Sequence, residues 1–377
     1  MYNTAKILII LLLIVGCGKE EKNIKLISPL DNLKLTNNSI YISSNDIKID
    51  SLNEIEAFIK IKQFKFIATN NGIYVLENNK ITKQYSFHFK NHNLELLSVK
   101  FRPNSNNSKL LFITSTGQSS PALLSQIDLN TLNIDWINEY SKQIESANYS
   151  NNSNLIAIGT GYNKNKESSK HYSSLFLIES TNGKFLDYFR QGESVKKIKF
   201  SDNDQLLYSV LDWPHVYTYI WSINEKEKII GSYGKDSTPY YDISTIDEQT
   251  FISIGKNGIS KWNLSNEDKY ELLYDKYINA GNKIFKFKNT EEYILIDYFK
   301  GTSKNPSIKY LNSDFKLTYS TELKNNVTNI VKSEFIFNGI DRDNNSIIAF
   351  DIEKRAVTLN LKIDSLIVKT TANNGYN

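Results

Sequence analysis

Along the stretch VKKIKFSDNDQLLYSV, residues 195 to 210, Val195, Lys197 and Lys199 alternate with Lys196, Ile198 and Phe200. The polar turn SDND follows, and then Leu206, Leu207, Tyr208 and Val210 resume an apolar run. This order predicts a strand, a tight turn and a second, more deeply buried strand. It returns in LLSVKFRPNSNNSKLLFIT (96 to 114) and IESANYSNNSNLIAIGT (144 to 160), and in weaker form in YYDISTIDEQTFISIG (240 to 255) and IFKFKNTEEYILID (284 to 297).

Anchoring each copy on the first apolar residue of its second strand selects Phe66, Leu110, Leu155, Leu206, Phe251, Tyr293 and Phe335, at intervals of 44, 45, 51, 45, 42 and 42 residues. The long interval holds the polar insertion YNKNKESSKHYSS, residues 162 to 174. A third strand follows in every copy: residues 72–76, 122–128, 175–179, 218–223, 258–264, 308–312 and 347–352. Fourth strands follow the third after a turn, as in FLDYF (185 to 189) and IIGSY (229 to 233). Four short antiparallel strands per 40-to-50-residue unit predict propeller blades. The fold expected is therefore all-β, a closed β-propeller of seven four-stranded blades, with eight as the alternative if the terminal strands form a divergent unit. A ring covers both faces of each sheet and protects edges that an open row would expose. SIYIS (39 to 43) or DIKID (46 to 50) could close it beside AVTLNLKI (356 to 363), and KYELLYDKYINAGNKIFKF predicts either a helical turn or an irregular outer strand.

VKKIKFSDNDQLLYSV followed by YIWSI carries the pattern of apolar strand, F-S-x-D/N, apolar strand and terminal tryptophan, with Trp262 of ISKWNL and the Phe350–Asp351 pair at corresponding places. On these residues the repeats resemble the tryptophan-aspartate repeat family of propellers over roughly residues 50 to 363. Trp221 and Trp262 are expected to pack between blades, and Trp213 to be more exposed in its loop.

The N-terminal stretch ILIILLLIVGCGKE contains the one cysteine of the chain, Cys17, one glycine beyond nine apolar residues from Ile7 to Val15. A spanning helix needs roughly 20, so the layout of Lys6, apolar core and Gly16 reads as an export signal. Ile14, Val15, Gly16 and Cys17 resemble the lipobox of bacterial lipoproteins. That resemblance implies diacylglycerol on the Cys17 sulfur, cleavage before it and acylation of the new amino group. Stable attachment needs more than one chain. The expected organisation is a signal peptide at 1–16, a lipidated tether at 17–35 and the propeller at 36–377. Gly18 stands where an aspartate would resemble an inner-membrane retention signal, which favours the outer membrane.

Loss of the leader lowers the formal charge from +4 to +3, and four of the 45 basic residues are arginines. Lysines dispersed among glutamates and asparagines do not resemble the basic face of a nucleic-acid reader, so no nucleic-acid partner is expected. Asparagine clusters such as NSNNS and NNSN read as turns. SDND and DRDNNS lack the glycine and distal glutamate of a calcium loop and also read as turns. The four histidines, at 88, 92, 171 and 215, form no metal-binding helix, and no phosphate loop, dinucleotide fingerprint or nucleophile elbow is present. No cofactor is expected.

The insertion at 162–174, DWPHVYTY (212 to 219) and DYFKGTSKNPS (297 to 307) occupy the same connection in different blades and so emerge on one face. Loops held on a rigid scaffold are where binding concentrates. Asp212, Trp213, His215, Tyr217 and Tyr298 form the candidate contact surface, because aromatic groups anchor many interfaces. The expected function is a noncatalytic protein-binding scaffold or assembly factor of the cell envelope, held to the membrane by its N-terminus. The alternative is a carbohydrate-binding or carbohydrate-active propeller with a site at the central channel, for which Asp212 and Asp297 are candidate carboxylates.

Overall fold

The computed structural model describes residues 55–362 except 79, 90–91, 94–95, 97, 116–121, 141–142, 162–174, 190–192, 212–216, 226–228, 234–239, 256–257, 275–282, 288–289, 298–305, 324–326, 334–335 and 342–345. Among these residues are seven antiparallel sheets of four strands, each built from consecutive strands in simple up-and-down order. They form the blades of one propeller: Ile55–Tyr85, Ser98–Tyr140, Ile144–Phe189, Val195–Tyr233, Tyr240–Tyr274, Lys283–Glu322 and Val327–Lys362. A two-stranded hairpin, His88–Phe89 with His92–Asn93, lies between blades 1 and 2.

Second and third strands are nearly continuous apolar runs, as in Leu206–Leu211 and Ala122–Asp128, because both of their faces are covered by neighbouring blades. The buried apolar side chains accordingly group into seven clusters, and each joins two adjacent blades. One of them packs Ile55, Phe58, Ile67, Tyr74 and Leu76 of blade 1 against Ile340 and Ile347 of blade 7, which closes the ring. There too the Lys60 amide donates to Asn338 Oδ1 at 3.1 Å. Blade 7 takes all four strands from its own segment, as does blade 1, so neither sheet requires an exchanged terminal strand. SIYIS and DIKID lie outside the described residues. The outer strand of blade 5, Asn266–Tyr274, is the irregular strand considered for KYELLYDK, with register shifts at two places.

Strand twist is set by bulges that recur from blade to blade. The pairing of third and fourth strands shifts register once or more in every blade. A bulge also marks the start of the first strand in blades 1, 3, 4 and 5. An extra residue on one strand bends it and increases its twist, which lets each sheet turn from the axis to the rim while neighbours stay in contact.

The turns between first and second strands confirm the asparagine reading. Asn107, Ser153 and Asp204 hold left-handed conformations at equivalent places, with φ of 52°, 63° and 58°. The preceding Asn106, Asn152 and Asn203 accept backbone bonds through Oδ1 at 2.9 to 3.1 Å. The carboxylate of Asp204 accepts from the Asn151 and Asn152 amides at 2.7 and 2.9 Å, tying blade 4 to blade 3.

Trp221 and Trp262 pack between blades, as expected, and each indole N–H donates to a serine of the adjoining second strand, Ser209 at 3.1 Å and Ser253 at 2.8 Å. Trp213 lies outside the described residues. Blades approach so closely that a Cβ at Gly159 would stand 2.7 Å from Val195 Cγ1 and 2.8 Å from its carbonyl oxygen. Trp221→Ala should therefore cost about 3–5 kcal/mol as a large buried truncation. Gly159→Ala should cost about 1–3 kcal/mol by pushing blades 3 and 4 apart. Urea unfolding of the purified protein checks both as lower midpoints at unchanged slope.

Candidate functional site

The first strand of each blade is the innermost. First strands of successive blades touch one another from blade 7 through blade 1 to blade 6, and those of blades 2 and 7 come within 8 Å (Cα–Cα) although blade 1 separates them in the ring. Side chains on these strands therefore meet near the axis.

The strands can be aligned on a shared backbone bond at the hairpin that follows each of them. Asn104, Ser150, Ser201, Ile246 and Phe287 donate that bond in blades 2 to 6. Four residues earlier stand Lys100, Ser146, Lys197, Asp242 and Lys283, one level of the axis. Two residues earlier stand Arg102, Asn148, Lys199, Ser244 and Phe285, the next level. Five of these ten positions carry a cation and one an anion.

A belt of bonds holds these side chains against the neighbouring strand. Lys100 Nζ donates to Glu145 O at 2.8 Å, and Lys199 Nζ to Ile243 O at 3.3 Å and Ser244 Oγ at 3.1 Å. Asn148 Nδ2 donates to Ile198 O, and Asp242 Oδ2 accepts from the Ile284 amide at 3.1 Å. The belt thus crosses the interfaces from blade 2 through blade 6, and Lys60 with Asn338 repeats it between blades 7 and 1.

The half-buried cations also act on each other across the axis. Burial, then the charges of Lys197 and Arg102, hold the Lys283 ammonium well below its ordinary range, against the opposing pull of Asp242. Burial lowers Lys100, with Glu145 opposing it, and lowers Lys199, with Asp242 and Asp202 opposing it. Burial also lowers Arg102, whose counter-charge is Asp242, three blades away. Charges contributed by blades 2, 4, 5 and 6 thus share one low-dielectric region, where a fixed charge acts strongly on its neighbours.

Of the five contact residues expected on the loop face, Tyr217 is described. It is half-buried and begins an aromatic ladder, 6.3 Å from Tyr219, which lies 6.1 Å from Trp221. Its carbonyl accepts from the Leu211 amide at 3.0 Å. Asp212, Trp213, His215 and Tyr298 lie outside the described residues, as does Cys17. His88 and His92 sit on opposite strands of the small hairpin, where Phe89 pairs with His92. Among the described residues no group of three or more histidines, cysteines and carboxylates is placed to hold a metal ion.

Sequence reasoning missed the axial cations because the lysines look evenly dispersed along the chain. The signal was present in their register: Lys100, Lys197 and Lys283 recur at one place in three first strands. No family model matches the chain, and no curated protein matches it significantly. The tryptophan-aspartate resemblance is thus one of repeat pattern.

The depressed lysines fix a sign for pH dependence. Between their folded-state range and the ordinary lysine value near 10.5 the unfolded chain binds more protons, so stability rises with pH. Tyr293 and Tyr310, both pushed up to about 12 first by burial, oppose this where unfolded tyrosines ionise, near pH 10. Thermal melts at constant ionic strength should show Tm increasing with pH on the acid side of the ordinary lysine value and falling above about pH 10, where unfolded tyrosines ionise.

Proposed function

We propose that this protein is a lipid-anchored, noncatalytic binding protein of the bacterial cell envelope that holds a partner protein on one face of its propeller. The observation that carries the reading is the placement of the strand 2–3 connections. The strand ends at Thr160 and Leu175, at Leu211 and Thr218, and at Asp297 and Ser307 all open on the same face of a closed ring. A rigid ring holds these strand ends in fixed relation, which lowers the ordering cost of association at what they carry. The lipobox-like run ending at Cys17 supports the anchor, and Gly18 favours the outer membrane. The 17–35 segment then serves as tether between lipid and propeller. The scaffold or assembly role, and the kinship with tryptophan-aspartate propellers, belong to this same reading.

Two measurements test it. Cys17→Ser should abolish incorporation of a lipid label and leave unprocessed precursor, whereas cleavage elsewhere without acyl mass would contradict the anchor. Crosslinking in intact cells should recover one envelope complex through the wild-type protein and lose it in a Trp213→Ala, Tyr217→Ala double variant. Tyr217 supports Trp221 through the aromatic ladder, so the variant is compared at equal folded fraction. Hydrolysis of a surface glycan by the purified protein would overturn the noncatalytic reading.

A further inference from the structure

The cations at the axis have no part in the loop-face reading, and packing does not require them. Blade 1 places Ala57 and Ile59 in the corresponding segment of its first strand, and blade 3 places Ser146 and Asn148 at the aligned positions. Neutral side chains therefore fit these positions in this same ring. Gathering Lys100, Arg102, Lys197, Lys199 and Lys283 around the carboxylates of Asp242, Glu145 and Asp202 leaves a formal excess of two positive charges among these groups. Like charges brought together away from water oppose folding. A walled region of one sign also concentrates anions.

The geometry of the donors narrows the ligand. The belt engages one N–H of Lys100 and two of Lys199, and Arg102 directs one of its five to Phe101 O at 3.0 Å. An ammonium carries three N–H groups and a guanidinium five, so these bonds anchor the side chains without using up their donors. Cations reach the axis from blades 2, 4 and 6, that is, from several directions around it. Lysine acts as a point charge and arginine as a planar fork. A tetrahedral oxyanion, with acceptors pointing to all sides, fits this encirclement better than a planar carboxylate.

We propose that the propeller axis is a binding site for a phosphate-bearing anion, held chiefly by Lys100, Arg102, Lys197 and Lys283. The anion supplies the counter-charge that Asp242, Glu145 and Asp202 provide only in part. Its source is either free inorganic phosphate chemistry or a phosphate ester that enters with its phosphate end first. The site is separate from the loop-face contact and stands or falls independently of it.

Titration calorimetry on the purified full-length protein, at pH 6, where the burial-lowered lysines keep their protons, and at fixed ionic strength, tests the proposal with inorganic pyrophosphate, a nucleoside diphosphate and citrate. The expected result is one site per chain for pyrophosphate, with citrate at least tenfold weaker. Comparable binding of the nucleoside diphosphate assigns the site to esterified ligands, and its failure to bind assigns it to the inorganic anion. Lys197→Met should weaken pyrophosphate at least tenfold while raising the Tm of the ligand-free protein, because one repelling charge is removed. A variant that merely unfolds would lower that Tm instead, and Lys283→Met then provides the same comparison at a second blade. Lys354→Met, at an exposed outer turn, should leave binding unchanged. Absence of pyrophosphate binding, citrate binding as tight as pyrophosphate, or unchanged affinity in both axial variants would overturn the proposal.

Discussion

A four-stranded sheet of the size seen here has two apolar faces and cannot bury either by itself. The contact between blades 1 and 7 is therefore what the whole fold depends on. Without it, Phe58 and Tyr74 on one sheet and Ile340 and Ile347 on the other would face water, and each remaining interface would belong to an array with two open ends. Closure is made by apolar packing supplemented by Asn338, a fully buried amide that accepts from the Lys60 backbone. A buried polar group satisfied across an interface fixes register as well as contact. Here it joins the two segments of the chain that lie furthest apart in sequence.

Closure also determines what happens at the centre. Seven first strands must converge on one axis, so residues separated by 40 or more positions become neighbours. The belt of side-chain bonds to adjoining backbones uses this convergence to lock successive blades. The same convergence collects charge, because a lysine that would be harmless on an outer strand is placed near two or three other cations. Stability and electrostatic character at the axis are thus opposed. The apolar interfaces stabilise the ring strongly enough to hold a cationic centre.

Much of this was legible in the sequence. Leu155, Leu206 and Tyr293 begin second strands where the repeat placed them, and Ala122–Asp128 and Leu175–Glu179 match the expected third strands residue for residue. Those strands are covered on both faces, and continuous burial leaves an unbroken apolar signature. The first strands are less legible, since one edge faces the axis and tolerates Lys, Asp, Ser or Ala at the same level. Their shared register appears only when the blades are superimposed on the hairpin bonds. Trp136 escaped notice for a related reason. It lies on a fourth strand, yet its indole donates to Ser180 O at 2.8 Å and its ring covers Gly183 of the next blade. The loop-face residues and the lipid anchor rest on sequence alone, because aromatic content and a lipobox-like run carry meaning without a packed environment.

The claim that most of this account depends on is that the chain folds as one closed ring. Native-state hydrogen exchange followed blade by blade measures it most directly, since an open array frays from its terminal repeats. The account predicts that second-strand amides of blades 1 and 7 exchange with the same opening free energy as those of blade 4, and that the Lys60 amide is protected. Lower protection in blades 1 and 7 than in blade 4, decreasing progressively toward both ends, would contradict it.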